Sequence, residues 1–186
     1  MPITINGTGT ITGVSVGGLP DGIVDTDMLA TDAVSAAKIG SLPDGSILQA
    51  VQGTTTTSTT ANSSTLVDTG LSASITPTAA NSKIMAIVNQ NCQIWGGLYQ
   101  GIGFALLRGT TKVWGDSATD PEQYYFETGS NQYRFFYAAI NYLDDPTYSV
   151  GDTLTYKTQA RRKSTNSTTF QGSGHQSTLL LLEVAA

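Results

Sequence analysis

Residues 83–95, KIMAIVNQNCQIW, decide the fold. In an extended chain Ile84, Ala86 and Val88 fall on one face and Met85 and Ile87 on the other. Both faces are then apolar, the near-continuous pattern of a central strand in a β-sandwich. The single cysteine, Cys92, lies in this run and reads as a small buried strand residue.

Outward from this strand the pattern stays β. Leu71, Ala73 and Ile75 alternate ahead of Pro77, and Ile102, Phe104 and Leu106 alternate before Gly109 turns the chain into Thr111-Lys112-Val113-Trp114. Two aromatic strands, 123–127 and 132–143, flank a Gly129-Ser130-Asn131 turn. In the second, Tyr133, Phe135 and Tyr137 share one face and Arg134 and Phe136 the other, so one set belongs to a core. Thr153, Thr155 and Lys157 alternate with Leu154, Tyr156 and Thr158, and a last strand runs over 177–184. About eight to ten short strands with Gly, Asn, Asp and Pro punctuation are the signature of a sandwich or jelly roll. The expected fold class is mainly β: an antiparallel, jelly-roll-like β-sandwich head over 48–186, preceded over 1–47 by a slender arm and stalk with short helical turns.

The stalk expectation rests on Leu19 to Gly45, where the tetrapeptide Leu-Pro-Asp-Gly closes the segment at both ends. Pro presets φ, Asp bonds its own backbone and Gly takes positive φ, so both copies read as turns. Between them, Asp25 or Thr26 and then Thr31 are cap candidates for short helical turns that stop at Gly40. Each turn is shorter than the roughly 12–15 residues an isolated helix needs in water. Ahead of it, residues 2–16 alternate Ile and Val with Gly, Thr and Ser, strand-like but too thin in bulk to form a sheet unaided. Identical copies of the chain can bury Ile23, Val24, Met28, Leu29, Val34 and Ile39 around a common axis. Residues 54–64, TTTTSTTANSS, read as a polar surface loop, with a solvated edge strand as the alternative.

Composition narrows function. Only 12% of the 186 residues are charged, Thr and Ser make up about a quarter, and the net charge is −5. A nucleic-acid binder normally shows a basic patch. Here the one basic cluster, Arg161-Arg162-Lys163, reads as a solvated strand end. No apolar run suits a membrane span, and no leader is evident in MPITINGTGT. One cysteine and one histidine, His175, cannot build a zinc site. No metal or cofactor is expected.

The phrases ITINGTGTITGVSVGGLPDG, DAVSAAKI and TGLSASITPTAANSKIMAIV, followed by ALLRGTT, NYLDDP and LLLLEVA, resemble short fibre proteins of tailed bacteriophages, particularly those infecting marine and other aquatic bacteria. The resemblance spans nearly the whole chain. It implies a homotrimeric virion fibre whose N-terminal part attaches to another virion protein and whose C-terminal β-sandwich forms an outward knob. A host cell-surface glycan or protein is the expected partner, with a purely structural capsid-fibre or decoration role as the alternative.

The chain is not expected to be an enzyme. It has no Gly-x-Ser-x-Gly elbow, P-loop or dinucleotide fingerprint. Asp116, Asp120, Glu122 and Glu127 read as loop carboxylates, not as a glycosidase pair. Asp144, Asp145 and Asp152 lack the spacing of a calcium loop and read as turn residues before and after Pro146. Aromatic rings give a recognition surface large contact area with a polar handle. Trp95, Tyr99, Trp114 and Tyr124 lie next to turn chemistry and are the expected receptor- or glycan-binding residues.

Overall fold

The computed structural model describes residues 42–96, 100–115, 123–126, 132–163 and 167–186, with the backbone alone at 96, 100, 123–126 and 132. Eleven strands are described: β1 (Ile47–Thr55), β2 (Thr59–Ala61), β3 (Val67–Ile75), β4 (Lys83–Gly96), β5 (Gln100–Arg108), β6 (Thr111–Gly115), β7 (Gln123–Phe126), β8 (Gln132–Asp144), β9 (Leu154–Arg162), β10 (Thr168–Phe170) and β11 (Ser177–Val184). Among the described residues there is no α-helix. All described strand pairs are antiparallel. The expectation of a mainly β, antiparallel chain therefore holds. The stalk positions Ile23, Val24, Met28, Leu29, Val34 and Ile39 and the helical turns around them lie outside the described residues.

Residues 43–186 form one unit of two sheets. In the first, β4 is the axis: β8 pairs with it from Ile84 to Gly96 on one edge. On the other edge β11 covers Lys83 to Asn89 and β10 covers Cys92 to Ile94. Beyond these, β1 pairs with β11 and β2 with β10. The second sheet runs β3-β9-β5-β6, with β7 also on β5. The Thr-rich run is therefore not simply a loop. Thr54 and Thr55 end β1, and Thr59–Ala61 is a strand paired to β10. Cross-strand pairing and a bond from Thr59 Oγ1 to the Thr69 carbonyl (2.6 Å) outweigh the run's low-complexity composition.

One core lies between the sheets. Ile84, Ala86, Val88, Leu179, Leu181 and Ile140 come from the first sheet, and Leu71, Ile75, Ile102, Phe104, Leu106 and Tyr156 from the second. All are essentially buried, and each large one contributes roughly 1.5–3 kcal/mol by leaving water. β3 reaches this core through a bulge between Asp68 and Ser72, where Gly70 takes φ 85°. Gly53 has no room for a side chain, because a Cβ there would strike the Ser72 carbonyl of β3.

Two polar clusters join the layers. Gln90 points inward from β4, and its Oε1 accepts from the hydroxyls of Thr158 (2.8 Å) and Thr69 (3.1 Å) in the facing sheet. Its Nε2 donates to Ser177 Oγ at 3.1 Å, which also accepts from the Asn91 amide. The Ser177 hydroxyl in turn donates to the Gln171 amide oxygen at 2.8 Å. The second cluster centres on Glu183, which is fully buried. Its carboxylate accepts from the amides of Thr78 and Ala79, the Thr78 hydroxyl and Gln49 Nε2, at 2.7–3.0 Å. Burial pushes its pKa up, but these donors pull it down further, so it sits below the usual carboxylate range.

Gln90→Leu keeps the volume but removes the acceptor shared by the Thr69 and Thr158 hydroxyls and one of the donors to Ser177, and should cost about 1–3 kcal/mol in a urea melt. Glu183 has a folded pKa below its unfolded value of about 4.3, so its contribution is complete above that pH and is lost as pH falls through the folded pKa. Thermal melts between neutral pH and pH about 2 should show this acid loss in the wild type, and Glu183→Gln should flatten it.

Candidate functional site

The outer face of the first sheet carries the candidate site. Strand alternation places Met85, Ile87, Asn89, Asn91, Gln93 and Trp95 of β4 outward, because Ile84, Ala86, Val88, Gln90, Cys92 and Ile94 are buried inward. In β8 the same logic sets Ala138 and Ile140 inward, with Phe136 packed against the core. Tyr133, Phe135 and Tyr137 are therefore the outward set, and they are 59%, 53% and 51% exposed.

Register brings these rings together. Trp95 stands opposite Tyr133, Gln93 opposite Phe135, and Asn91 opposite Tyr137. Trp95 and Tyr133 have ring centroids 4.5 Å apart with planes tilted by 46°. Tyr133 and Phe135 follow at 6.4 Å, and Phe135 and His175 at 6.0 Å. His175 arrives on a short 3-10 turn, Gly172–Gly174, that folds back over β4. Gly172 sits so close to Gln93 that a Cβ there would strike its Oε1 and the Gln93 side chain would have to move aside. The result is a ladder of four rings, Trp95-Tyr133-Phe135-His175, beside Tyr137 and bordered by the amide of Gln93. Beneath it Asn91 Oδ1 is buried without a hydrogen-bond partner among the described residues.

Charge is missing from this face. Between the Met85 and Trp95 rows, no outward position of β1, β11, β4 or β8 carries Asp, Glu, Lys or Arg. β4 and β8 share this face over about ten residues, and β11 and β1 widen it only as far as the Asn89 row. Exposed rings and aliphatic side chains on this face are interspersed with the amides of Asn89, Gln93 and Asn141, a mixture suited to an interaction surface. The opposite sheet differs: its outer face presents Asp68, Lys157, Gln159, Ser72 and Ser74, with Lys157 paired to Asp68. Ring faces pack against the C–H faces of sugars or against apolar side chains, while amides and phenols satisfy hydroxyls.

The four residues expected from sequence are not brought together among the described residues. Trp95 is 43% exposed and anchors the ladder. Trp114 is partly buried and packs against the core, because β6 pairs it opposite the buried Leu106. Tyr99 lies outside the described residues, and Tyr124 is described only as backbone of β7, opposite Ile102. Alternation separates Tyr133, Phe135 and Tyr137 from Phe136 without choosing the outward set. The signal that decides it is the continuation Phe136-Ala138-Ile140, small and apolar enough to be the core face.

Other candidate groups resolve differently. Cys92 is buried on the inner face, where burial pushes its thiol up and keeps it protonated, and His175 is exposed on the outer side. They do not form a nucleophile–base pair. Asp144 takes an ion pair with Arg108 and a hydrogen bond from the Tyr156 hydroxyl at 2.6 Å, and Asp152 accepts from the Ser149 amide at 2.9 Å. No group of three or more His, Cys, Asp or Glu suited to a metal occurs among the described residues. Asp116, Asp120, Glu122 and Glu127 lie outside them. Arg161 donates to the Ser64 carbonyl and the Arg162 amide to that of Ser63, so the basic cluster ends β9 against the 63–64 turn. A small polar hollow beside Asn81, Asp145, Thr147 and Tyr148 has its one ring engaged, since the Tyr148 hydroxyl bonds the Ala79 carbonyl at 2.7 Å.

No family model matches the chain, and no curated protein matches it. Among solved structures, dimeric latent PorU from Porphyromonas gingivalis aligns over 78% of this chain and 14% of its own, at 9% identity and a TM-score of 0.31. A T=1 particle derived from infectious bursal virus aligns over 76% and 37%, at 14% identity and a TM-score of 0.25. The chain thus spans a small part of each, and likeness this low shows no family and no function.

Exposed rings that only cover a surface can be removed cheaply. Trp95→Ala and Phe135→Ala should each lower stability by less than about 1 kcal/mol, whereas Phe104→Ala in the core should cost about 3–5 kcal/mol. Denaturant melts of the three variants check this.

Proposed function

We propose that the chain is a virion fibre protein of a tailed bacteriophage, whose β head binds a host cell-surface glycan or protein. The observation that carries this reading is the Trp95-Tyr133-Phe135-His175 ladder, an exposed row of rings on a charge-free face flanked by amides. The sequence resemblance to short phage fibres supplies the setting. In that setting residues 1–47 attach to another virion protein, and 48–186 form the knob of a homotrimer with a jelly-roll-like sandwich. A role in recognition without catalysis fits the dispersal of the described carboxylates into structural bonds. A capsid-fibre or decoration role is the second reading. It draws on the hydroxyl-rich outer side of the other sheet, where Ser74 pairs with Thr155 at 2.8 Å.

The chain has two tryptophans, so a Trp114→Phe variant leaves Trp95 as the sole indole reporter. Adding host-cell surface polysaccharide to that variant should shift its emission. Purified full chain should also reduce phage adsorption in proportion to dose, and Trp95→Ala with Tyr133→Ala should remove that effect at least about tenfold, as hot-spot aromatics do. Undiminished competition by the double variant would rule out the ladder as receptor site, and no competition by the wild type would favour decoration.

A further inference from the structure

The chemistry of the ring ladder selects one class of ligand. Trp95, Tyr133, Phe135 and Tyr137 are each about half exposed, and at roughly 150–250 Å² a ring they offer on the order of 400 Å² together. That is about half of the roughly 800 Å² that one side of a protein–protein interface covers, and it suits a few sugars. Neighbouring centroids lie 4.5, 6.4 and 6.0 Å apart, steps of the order of one sugar ring. The planes are tilted by 46°, 35° and 56°. A flat crystalline polysaccharide needs coplanar rings, whereas tilted ones suit a single free chain whose sugars turn from one to the next.

Polar groups stand among the rings: the phenols of Tyr133 and Tyr137, the amide of Gln93 and, further along, that of Asn89. An apolar partner would strand those it covered at about 1–3 kcal/mol each, whereas sugar hydroxyls both donate and accept. Charge completes the choice. No Asp, Glu, Lys or Arg faces outward on β4 or β8 between the Met85 and Trp95 rows, and Arg134 belongs to the inward row, opposite Ile94. A uronate or sulfate laid on the rings would lose water with no Lys or Arg to pair it, and the net charge of −5 repels polyanions. We propose that the ladder binds an uncharged, soluble glycan chain, stacking the C–H faces of its sugars on Trp95, Tyr133 and Phe135 and pairing its hydroxyls with the phenols and Gln93. The inference rests on the reading of the ladder as the receptor site and narrows its ligand, leaving out acidic polysaccharides, crystalline ones and proteins.

The test is calorimetric titration of the full chain with three soluble neutral glycans (a mixed-linkage β-glucan, a mannan and a galactan) and two polyanions, alginate and heparin. At least one neutral glycan should bind, with an affinity that holds from about 0.05 to 0.5 M salt because no charge pair is there to be screened. Trp95→Ala with Tyr133→Ala should weaken that binding at least about tenfold. Phe135→Ala, a single change at an exposed ring, should weaken it too, while Ser74→Ala on the opposite sheet should leave it unchanged. Thermal melts check that each variant is folded. Binding of the polyanions alone, falling as salt rises, overturns the inference, as does silence of all three neutral glycans. So does attachment of the full chain to host cells that survives periodate, which cleaves sugar diols, but is lost after protease, since that assigns the ladder to a protein. Competition for phage adsorption that needs Trp95 and Tyr133 while no neutral glycan binds refutes this ligand class and leaves the receptor reading standing. Neutral-glycan binding at the rings without such competition refutes the receptor reading and leaves the ligand class.

Discussion

The hydrogen-bond ladder of β4 is the constraint on which the rest of the structure depends. A strand of fourteen residues presents a long row of backbone donors and acceptors on each edge. β8 satisfies one row nearly end to end, and β11 and β10 divide the other. Once both edges are paired, the strand has only its two faces left to offer. The inner face is closed by the second sheet. The outer face keeps a composition that water alone does not explain.

The inner face is held by more than apolar burial. Gln90 spans the layers because an amide can accept from two threonines of one sheet while donating to a serine of its own. A wholly apolar core tolerates sliding of one sheet over the other, whereas a saturated polar cluster is satisfied in one register only. Glu183 plays a similar part at the edge of the core. It fastens the end of β11 to the 78–79 turn and to Gln49 of β1 through donors that favour its ionised form. The Arg108-Asp144-Tyr156 group fixes the end of β8 to β5 and β9 in the same manner.

These inner constraints position the outer ones. Because Phe136, Ala138 and Ile140 must face the core, Tyr133, Phe135 and Tyr137 must face away, and the register with β4 sets Tyr133 against Trp95. The 3-10 turn after β10 adds His175 to the row by folding over Gln93, with Gly172 against the Gln93 side chain. The rings at one end of this sheet face and the aliphatic rows at the other then occupy it without sharing residues.

The sequence by itself determined the strand content, the centrality of 83–95, the burial of Cys92 and the two-face split of 133–137, because alternation and apolar content are local properties. Trp95 was legible as an exposed ring for the same reason, beside Gly96-Gly97. Only the tertiary structure decided which face of β8 met the core, that Trp114 would pack inward, and that Thr59–Ala61 would pair with β10. Each depends on partners far along the chain: Leu106 for Trp114, Ile140 and β4 for Tyr133, Phe170 for Thr59. The ring ladder draws on β4, β8 and the turn at 172–174, segments about forty residues apart in sequence. No local pattern encodes that meeting, because register between distant strands is set by the packing of the whole core.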